Sequence, residues 1–172
     1  MIPRFVPLVV AALVVLFDRF TKDAVQRSVG FLDAIPVIPG WLRIIHTENA
    51  GAAFGMFAEG THPFLRSALL IGVSAIVLLY VASALWHRGS AYASLRTRLA
   101  LSLILGGACG NLYDRVVHGT VTDFIEVYHG GWSFPAFNVA DSAITVGAAL
   151  LLLDLLYPQR KRMEEGAGLA PK

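Results

Sequence analysis

No aspartate, glutamate, lysine or arginine occurs between Arg66 and Arg88. A helix needs about 20 residues to cross a hydrocarbon core, so this stretch is long enough and apolar enough to span one. Composition removes the alternative of a soluble core helix. Only 15% of the 172 residues are charged and 56% are hydrophobic, and the mean hydropathy is +0.63. A soluble domain carries about 25% charged residues, so the chain falls in the membrane class. The net charge of +2 comes with no basic stripe, and nucleic acid is not an expected partner. The single cysteine, Cys109, excludes an internal disulfide framework and a multi-cysteine metal site. Set among glycines in an apolar run, it reads as a small buried packing residue.

Three further runs have spanning character. Phe5 to Phe17 extends through Phe20 if Asp18 faces protein or water. Leu99 to Tyr113 is glycine-rich and flanked by Arg98 and Asp114. Val139 to Tyr157 is interrupted only by Asp141 and Asp154, near its two ends. The first run lacks a following small-x-small cleavage site; Asp18-Arg19-Phe20-Thr21-Lys22 follows instead, so it reads as a retained anchor. The expected spans are about 4–22, 66–86, 96–114 and 139–157. They form one domain over 1–162, with a disordered cytoplasmic tail over 163–172.

Basic residues orient the spans. Arg4 precedes the first, Arg88, Arg96 and Arg98 lie between the second and third, and Arg160-Lys161-Arg162 follows the fourth. An even number of spans puts these on one side, so both termini are expected in the cytoplasm. Segments 18–65 and 114–138 then face outward, although Arg19, Lys22, Arg27 and Arg43 weaken the contrast.

The outward segments carry structure of their own. Val37-Ile38 and Trp41-Leu42-Arg43-Ile44-Ile45, bounded by Pro36 and Pro39-Gly40, predict a small strand pair. Asn49-Ala50-Gly51 is a turn signal, and Ala53 to Phe57 is apolar but too short to span, which suits the interface. Trp132, Phe134 and Phe137 read as an interfacial aromatic belt.

The candidate chemistry lies in two acids. Asp141 opens the fourth apolar run, and Asp123 lies eighteen residues upstream, beyond the third. A carboxylate at the mouth of a membrane helix is a functional-site hypothesis by default. Asp141 alone fits a helix cap equally well, with Asn138 three residues before it as in a capping box. Asp123, in the half-alternating stretch Thr120 to Glu126 at the membrane surface, alone reads as a solvated loop acid. Only the pair makes a case. Two neighbouring carboxylates cannot both ionise freely, so one removes a proton from water while the other donates one. Asp18 (paired at i, i+4 with Lys22), Asp114 (beside Arg115) and Glu126 are weaker candidates. Asp154 lies roughly 20 Å along the helix from Asp141 and cannot join that site. Asn111 and Arg115 share a helix face, with Gly107 one turn earlier; substrate binding and simple snorkelling both fit. Gly106-x-x-x-Gly110 reads as a close helix contact rather than a phosphate loop. The five histidines lack metal-ligand spacing.

Taken in order, five blocks resemble the bacterial lipoprotein signal peptidases (signal peptidase II). They are Asp18-Arg-Phe-Thr-Lys22, Asn49-Ala-Gly-Ala-Ala-Phe54, Gly106-Gly-Ala-Cys-Gly-Asn111-Leu-Tyr-Asp-Arg115, Val121-Thr-Asp123-Phe-Ile-Glu126 and Phe137-Asn-Val-Ala-Asp141-Ser. The resemblance implies an all-α integral membrane protein with four transmembrane helices, a small extracytoplasmic β-cradle and an interfacial helix. It implies an aspartyl endopeptidase of the bacterial cytoplasmic (inner) membrane. Such an enzyme removes the signal peptide from diacylglyceryl-modified prolipoproteins on the amino side of the lipidated cysteine. By motif match Asp123 and Asp141 would be the catalytic dyad, with no metal and no cofactor. Asn49, Gly51, Gly107, Asn111, Arg115, Asn138 and Ala140 would line or shape the site, with Asp18 and Lys22 in support. The expected partners are the lipidated prolipoprotein, membrane lipid and a globomycin-type inhibitor, and the expected state is a monomer. A lid movement of 50–62 would admit substrate.

Two other classes compete. A proton-coupled transporter would use the same acids as a relay, yet the chain lacks the inverted halves such carriers show. In a purely structural bundle, Asp141→Asn would cost only cap stability.

Overall fold

The computed structural model describes residues 5–51, 63–87 and 94–156. Four helices carry the chain: α1 (Val6–Ser28), α2 (Pro63–His87), α3 (Leu95–Val117) and α4 (Val139–Leu156). Four short strands complete it: β1 (Ala34–Ile38), β2 (Leu42–Asn49), β3 (Val121–His129) and β4 (Trp132–Ser133). The expected interfacial segment at 53–57 and the tail after 162 lie outside the described residues.

α1 opens with Pro7 in its first turn, where a missing N–H costs no helical bond. Its polarity is inverted relative to a soluble helix. Leu13, Leu16, Phe17 and Phe20 are exposed, whereas Asp18 and Lys22 are fully buried. α2 shows the same outward apolar character, with Val73, Ile76, Leu79 and Tyr80 exposed. Over Leu65–Trp86 and Val139–Leu156, α2 and α4 are long and apolar enough to cross a membrane. α1 and α3 have the length, at 23 residues each, but carry charges within it, of which α1 buries Asp18 and Lys22.

α3 lies against each of the other three helices. Its glycines permit that. A Cβ at Gly106 would stand 2.7 Å from the carbonyl oxygen of Ala11 on α1, and one at Gly107 only 2.4 Å from that of Ala140 on α4. Gly106-x-x-x-Gly110 is therefore a close-packing face, as its spacing suggests. Cys109 on that helix is half-buried, less enclosed than its apolar surroundings imply.

The strands form one antiparallel sheet in the order β1-β2-β3-β4. The β1–β2 hairpin is the expected strand pair, longer than the sequence suggests, with Gly40 at φ +81° in its turn. β3 is the strand that the half-alternating stretch Thr120 to Glu126 only hinted at. It pairs with β2 through Leu42↔Val127, Thr47↔Asp123 and Asn49↔Val121. Its first four residues, Val121 to Phe124, are all buried, so no alternating pattern marks them. One face meets helices while the edge is covered by Phe137, whose N–H donates to Ile125 O at 3.0 Å. The small core of Val25, Val29 and Phe124, with Ile44, Ile125 and Val139 against it, joins the sheet to the end of α1 and the start of α4.

Candidate active site

Asp141 sits in the first turn of α4 because Asn138 stops and caps that helix. The Asp141 N–H donates to Asn138 Oδ1 at 2.9 Å, and the Asn138 N–H donates back to Asp141 Oδ2 at 3.3 Å. This reciprocal cap, expected from the spacing, satisfies helix N–H groups that would otherwise lack partners. It also leaves Asn138 Nδ2 free to point elsewhere. That amide donates to Asp123 Oδ1 at 2.7 Å. One asparagine thus bonds both acids.

Asp123 is not the solvated loop acid its neighbourhood suggests. It is a strand residue, 2% exposed, held from the opposite side by Asn49 Nδ2 at 2.9 Å from Oδ2. Asn49 is in turn fixed by the Gly51 N–H, 2.7 Å from its Oδ1. Gly51 reaches that position with φ +90°, a conformation that strains any residue with a Cβ. Burial pushes the Asp123 carboxyl up to about 6, and the nearby Asp141 charge adds to the rise. The amide donors of Asn49 and Asn138 and the Lys22 charge act against it.

On the helical side, Asn111 of α3 donates through Nδ2 to Asp141 Oδ1 at 2.7 Å. Its Oδ1 faces Lys22 Nζ at 3.1 Å. Lys22 also lies 2.7 Å from Asp18 Oδ2, the expected i, i+4 pair. Asp18 Oδ1 accepts the Ala140 N–H at 2.9 Å, so Ala140 meets the site through its backbone, and Gly107 lets α3 approach it.

Arg115 stands apart from this network. Its described hydrogen bond runs from Nη1 to its own helix, at Asn111 O, 3.2 Å away. Its Nε is buried without a partner, and it lies within electrostatic reach of Asp141, Asp123 and Asp114. Nine of the eleven expected residues meet through hydrogen bonds or ion pairs; Gly107 acts by its lack of a side chain and Arg115 by its charge.

Asp114 was missed. Its sequence neighbour Arg115 points elsewhere, and Asp114, 1% exposed, pairs instead with Lys22 at 2.7 Å and with Arg19. The available signal was Lys22 itself: a buried ammonium needs more than one acceptor. Among the described residues, no group of three or more His, Cys, Asp or Glu is placed to hold a metal ion.

Comparison with known proteins adds the lineage. A family model described as Signal peptidase (SPase) II matches residues 10–157. A lipoprotein signal peptidase of Solibacter usitatus is 43% identical, over 88% of this chain and 91% of that protein. One of Photorhabdus laumondii is 37% identical over 90% of each. A bacterial membrane enzyme solved by the in meso method at 1.9 Å superposes with a TM-score of 0.76 at 33% identity. That match covers 89% of this chain and 94% of the other.

Proposed function

This chain belongs to the signal peptidase II family, and we propose that it cleaves prolipoproteins by aspartyl chemistry, with Asp123 and Asp141 as the reacting pair. Removal of signal peptides from prolipoproteins is this family's reaction. The observation that carries the aspartyl reading is the shared Asn138, which donates to Asp123 Oδ1 at 2.7 Å and caps Asp141 at 2.9 Å. Two acids from different elements, a strand and a helix, fastened to one side chain, can divide the work on one peptide bond.

The difference in burial favours a division of roles. Asp123 is 2% exposed, and burial pushes its carboxyl up to about 6, which suits the general acid. Asp141 is half-exposed at a helix N-terminus, where negative charge is stabilised. In the proposed cycle Asp141 takes a proton from water, and the resulting hydroxide attacks the scissile carbonyl. Asp123 donates its proton to the carbonyl oxygen. On collapse of the tetrahedral adduct Asp141 gives its proton to the leaving amine nitrogen as the C–N bond breaks. Asp123 takes the proton of one adduct hydroxyl, which restores both acids and leaves the product carboxylic acid. Arg115, with its unpartnered Nε, suits a substrate carbonyl.

The substrate proposed is a diacylglyceryl-modified prolipoprotein, cut on the amino side of its lipidated cysteine. Two acyl chains hold such a substrate stably in lipid, and the inverted polarity of α1 fits the same solvent. The architecture proposed is a single four-span domain of the bacterial inner membrane, with α1 to α4 as the spans. Both termini are cytoplasmic and the sheet is an extracytoplasmic cradle beside the dyad. The enzyme acts as a monomer and a globomycin-type lipopeptide blocks the pair; the lid expected over 50–62 falls mostly on residues outside those described.

The test is cleavage of a purified diacylglyceryl-modified prolipoprotein by wild type, Asp123→Asn and Asp141→Asn. Loss of cleavage in both variants, with melting curves retained, is the expected result. Full activity in either removes that acid from the chemistry.

A further inference from the structure

Three asparagines present an NH2 group to the two acids, and a primary amide can do so only if its carbonyl oxygen is held on the other side. Two of the three are held by backbone. Asn49 Oδ1 accepts the Gly51 N–H at 2.7 Å, and Asn138 Oδ1 accepts the Asp141 N–H at 2.9 Å. A backbone N–H cannot accept, so neither amide can turn over.

Asn111 has no such backbone lock. Its Oδ1 accepts only a long bond, 3.3 Å, from Asn138 Nδ2, the NH2 group whose other proton makes the 2.7 Å bond to Asp123. The remaining donor is Lys22 Nζ at 3.1 Å. An ammonium has protons and no acceptor, so its side of Asn111 must be the carbonyl side. Lys22 is itself fixed. Asp18 Oδ2 and Asp114 Oδ2 each lie 2.7 Å from Nζ, and Arg19 pairs with Asp114 from beyond. Asp18 Oδ2 and Asn111 Oδ1 accept hydrogen bonds from the ammonium, while Asp114 Oδ2 meets it as an ion pair without hydrogen-bond alignment.

We infer that Lys22 is a positioning residue: clamped between Asp18 and Asp114, it holds the carbonyl of Asn111 and so turns the Asn111 NH2 toward Asp141. This rests on the reading that Asp123 and Asp141 perform the hydrolysis. Lys22 is fully buried and cannot touch substrate, so its effect must pass through Asn111. Without the ammonium only the long Asn138 bond holds the carbonyl, and the amide can turn its oxygen toward Asp141, where two acceptors would face each other.

Lys22→Met tests this, alongside Lys22→Met with Asp114→Asn, which removes the cation together with one counter-ion and spares the fold a second unpaired acid. The expected result in folded protein is a kcat lower by at least about 10-fold, the scale of a misplaced catalytic contact, with KM unchanged. Adding Asn111→Leu should lower kcat no further. In a spectrum of the side-chain amides, the Asn111 NH2 protons should shift on Asp141→Asn in the wild-type background and lose that response without Lys22. An unchanged kcat, or losses at Lys22 and Asn111 that multiply, overturns the proposal. So does loss of the fold in both variants while Asp114→Asn alone folds, because Lys22 would then serve structure alone. Normal cleavage by Asp123→Asn and Asp141→Asn would instead defeat the catalytic reading beneath it.

Discussion

The N–H of Ala140 donates to Asp18 Oδ1 at 2.9 Å, so an acid of the first helix satisfies a backbone group at the start of the last. Both residues are fully buried, and no water can replace the bond. The other oxygen of Asp18 holds Lys22 at 2.7 Å. Asp18→Ala therefore strands a helix N–H and half-strips an ammonium in one step. Breaking a buried pair costs about 3–5 kcal/mol, and a loss on that scale is expected in thermal unfolding of the detergent-solubilised protein. Asp18→Asn, which keeps an acceptor for Ala140, should lose less. A wild-type melting curve for Asp18→Ala would contradict this account.

Asp123 makes stability depend on pH in a definite direction. Its carboxyl titrates near 6 in the folded protein, against an ordinary value of 3.8. The fold therefore binds this proton more tightly than the unfolded chain does. The stabilisation is complete below about pH 4 and is lost as pH rises through about 6. A shift of roughly two units corresponds to about 3 kcal/mol. Asp123→Asn cannot ionise, so its stability relative to wild type should grow by that order between pH 4 and pH 8. Paired melts across that range provide the measurement, and parallel curves would contradict it.

Gly107 sets how closely α3 approaches the helix that bears Asp141. A Cβ there would stand 2.4 Å from Ala140 O and 2.8 Å from Ile144 Cγ1. The first contact is backbone, so the helices must separate. Gly107→Ala should destabilise by about 1–3 kcal/mol and reduce cleavage, because Asn111 and Asp141 lie on the two helices being pushed apart. Gly72 of α2 is the control, since nothing lies within 4 Å of a Cβ there. Gly72→Ala should leave cleavage unchanged. Equal behaviour of the two variants in melting and turnover would remove the packing argument.

Those contacts show which parts of the molecule could be read from the sequence and why. The Asn138–Asp141 cap was legible because both partners lie within one turn. So was the Asp18–Lys22 pair, for the same reason. The glycine face of α3 was legible from its spacing. β3 was legible only as the half-alternating stretch Thr120 to Glu126, because Val121 to Phe124 are all buried and continuous burial blurs the alternation. Asp114 was misread because its sequence neighbour offers a ready partner, whereas its true partners, Lys22 and Arg19, come from α1. The motif order identified Asn49 and Asn111 as site residues, but not that each needs a donor behind it to face an acid. Such locks depend on contacts between elements far apart in the chain.

α1 provides the test of the solvent around the molecule. Leu16 is 65% exposed and Phe20 69%, while Asp18 and Lys22 between and beyond them are buried. In water, Leu16→Lys would place a charge on an exposed helical face and change stability by little. In a bilayer the same change puts an ammonium among acyl chains, at about 2.5–3.5 kcal/mol near the centre of a helix on insertion scales. Lysine at 16 could reach the interface with its long stem and lessen that cost, so Leu16→Asp, whose short side chain cannot, is the sharper variant. Expressed in a bacterial membrane, Leu16→Asp should reduce the correctly inserted, alkali-resistant fraction well below wild type. Thr21→Asp is the control: it lies one turn further along, where Asp18 and Lys22 already mark a polar level. Its retention should exceed that of Leu16→Asp. Equal, wild-type retention of both variants would argue that α1 lies outside the lipid and would reduce the proposed four spans.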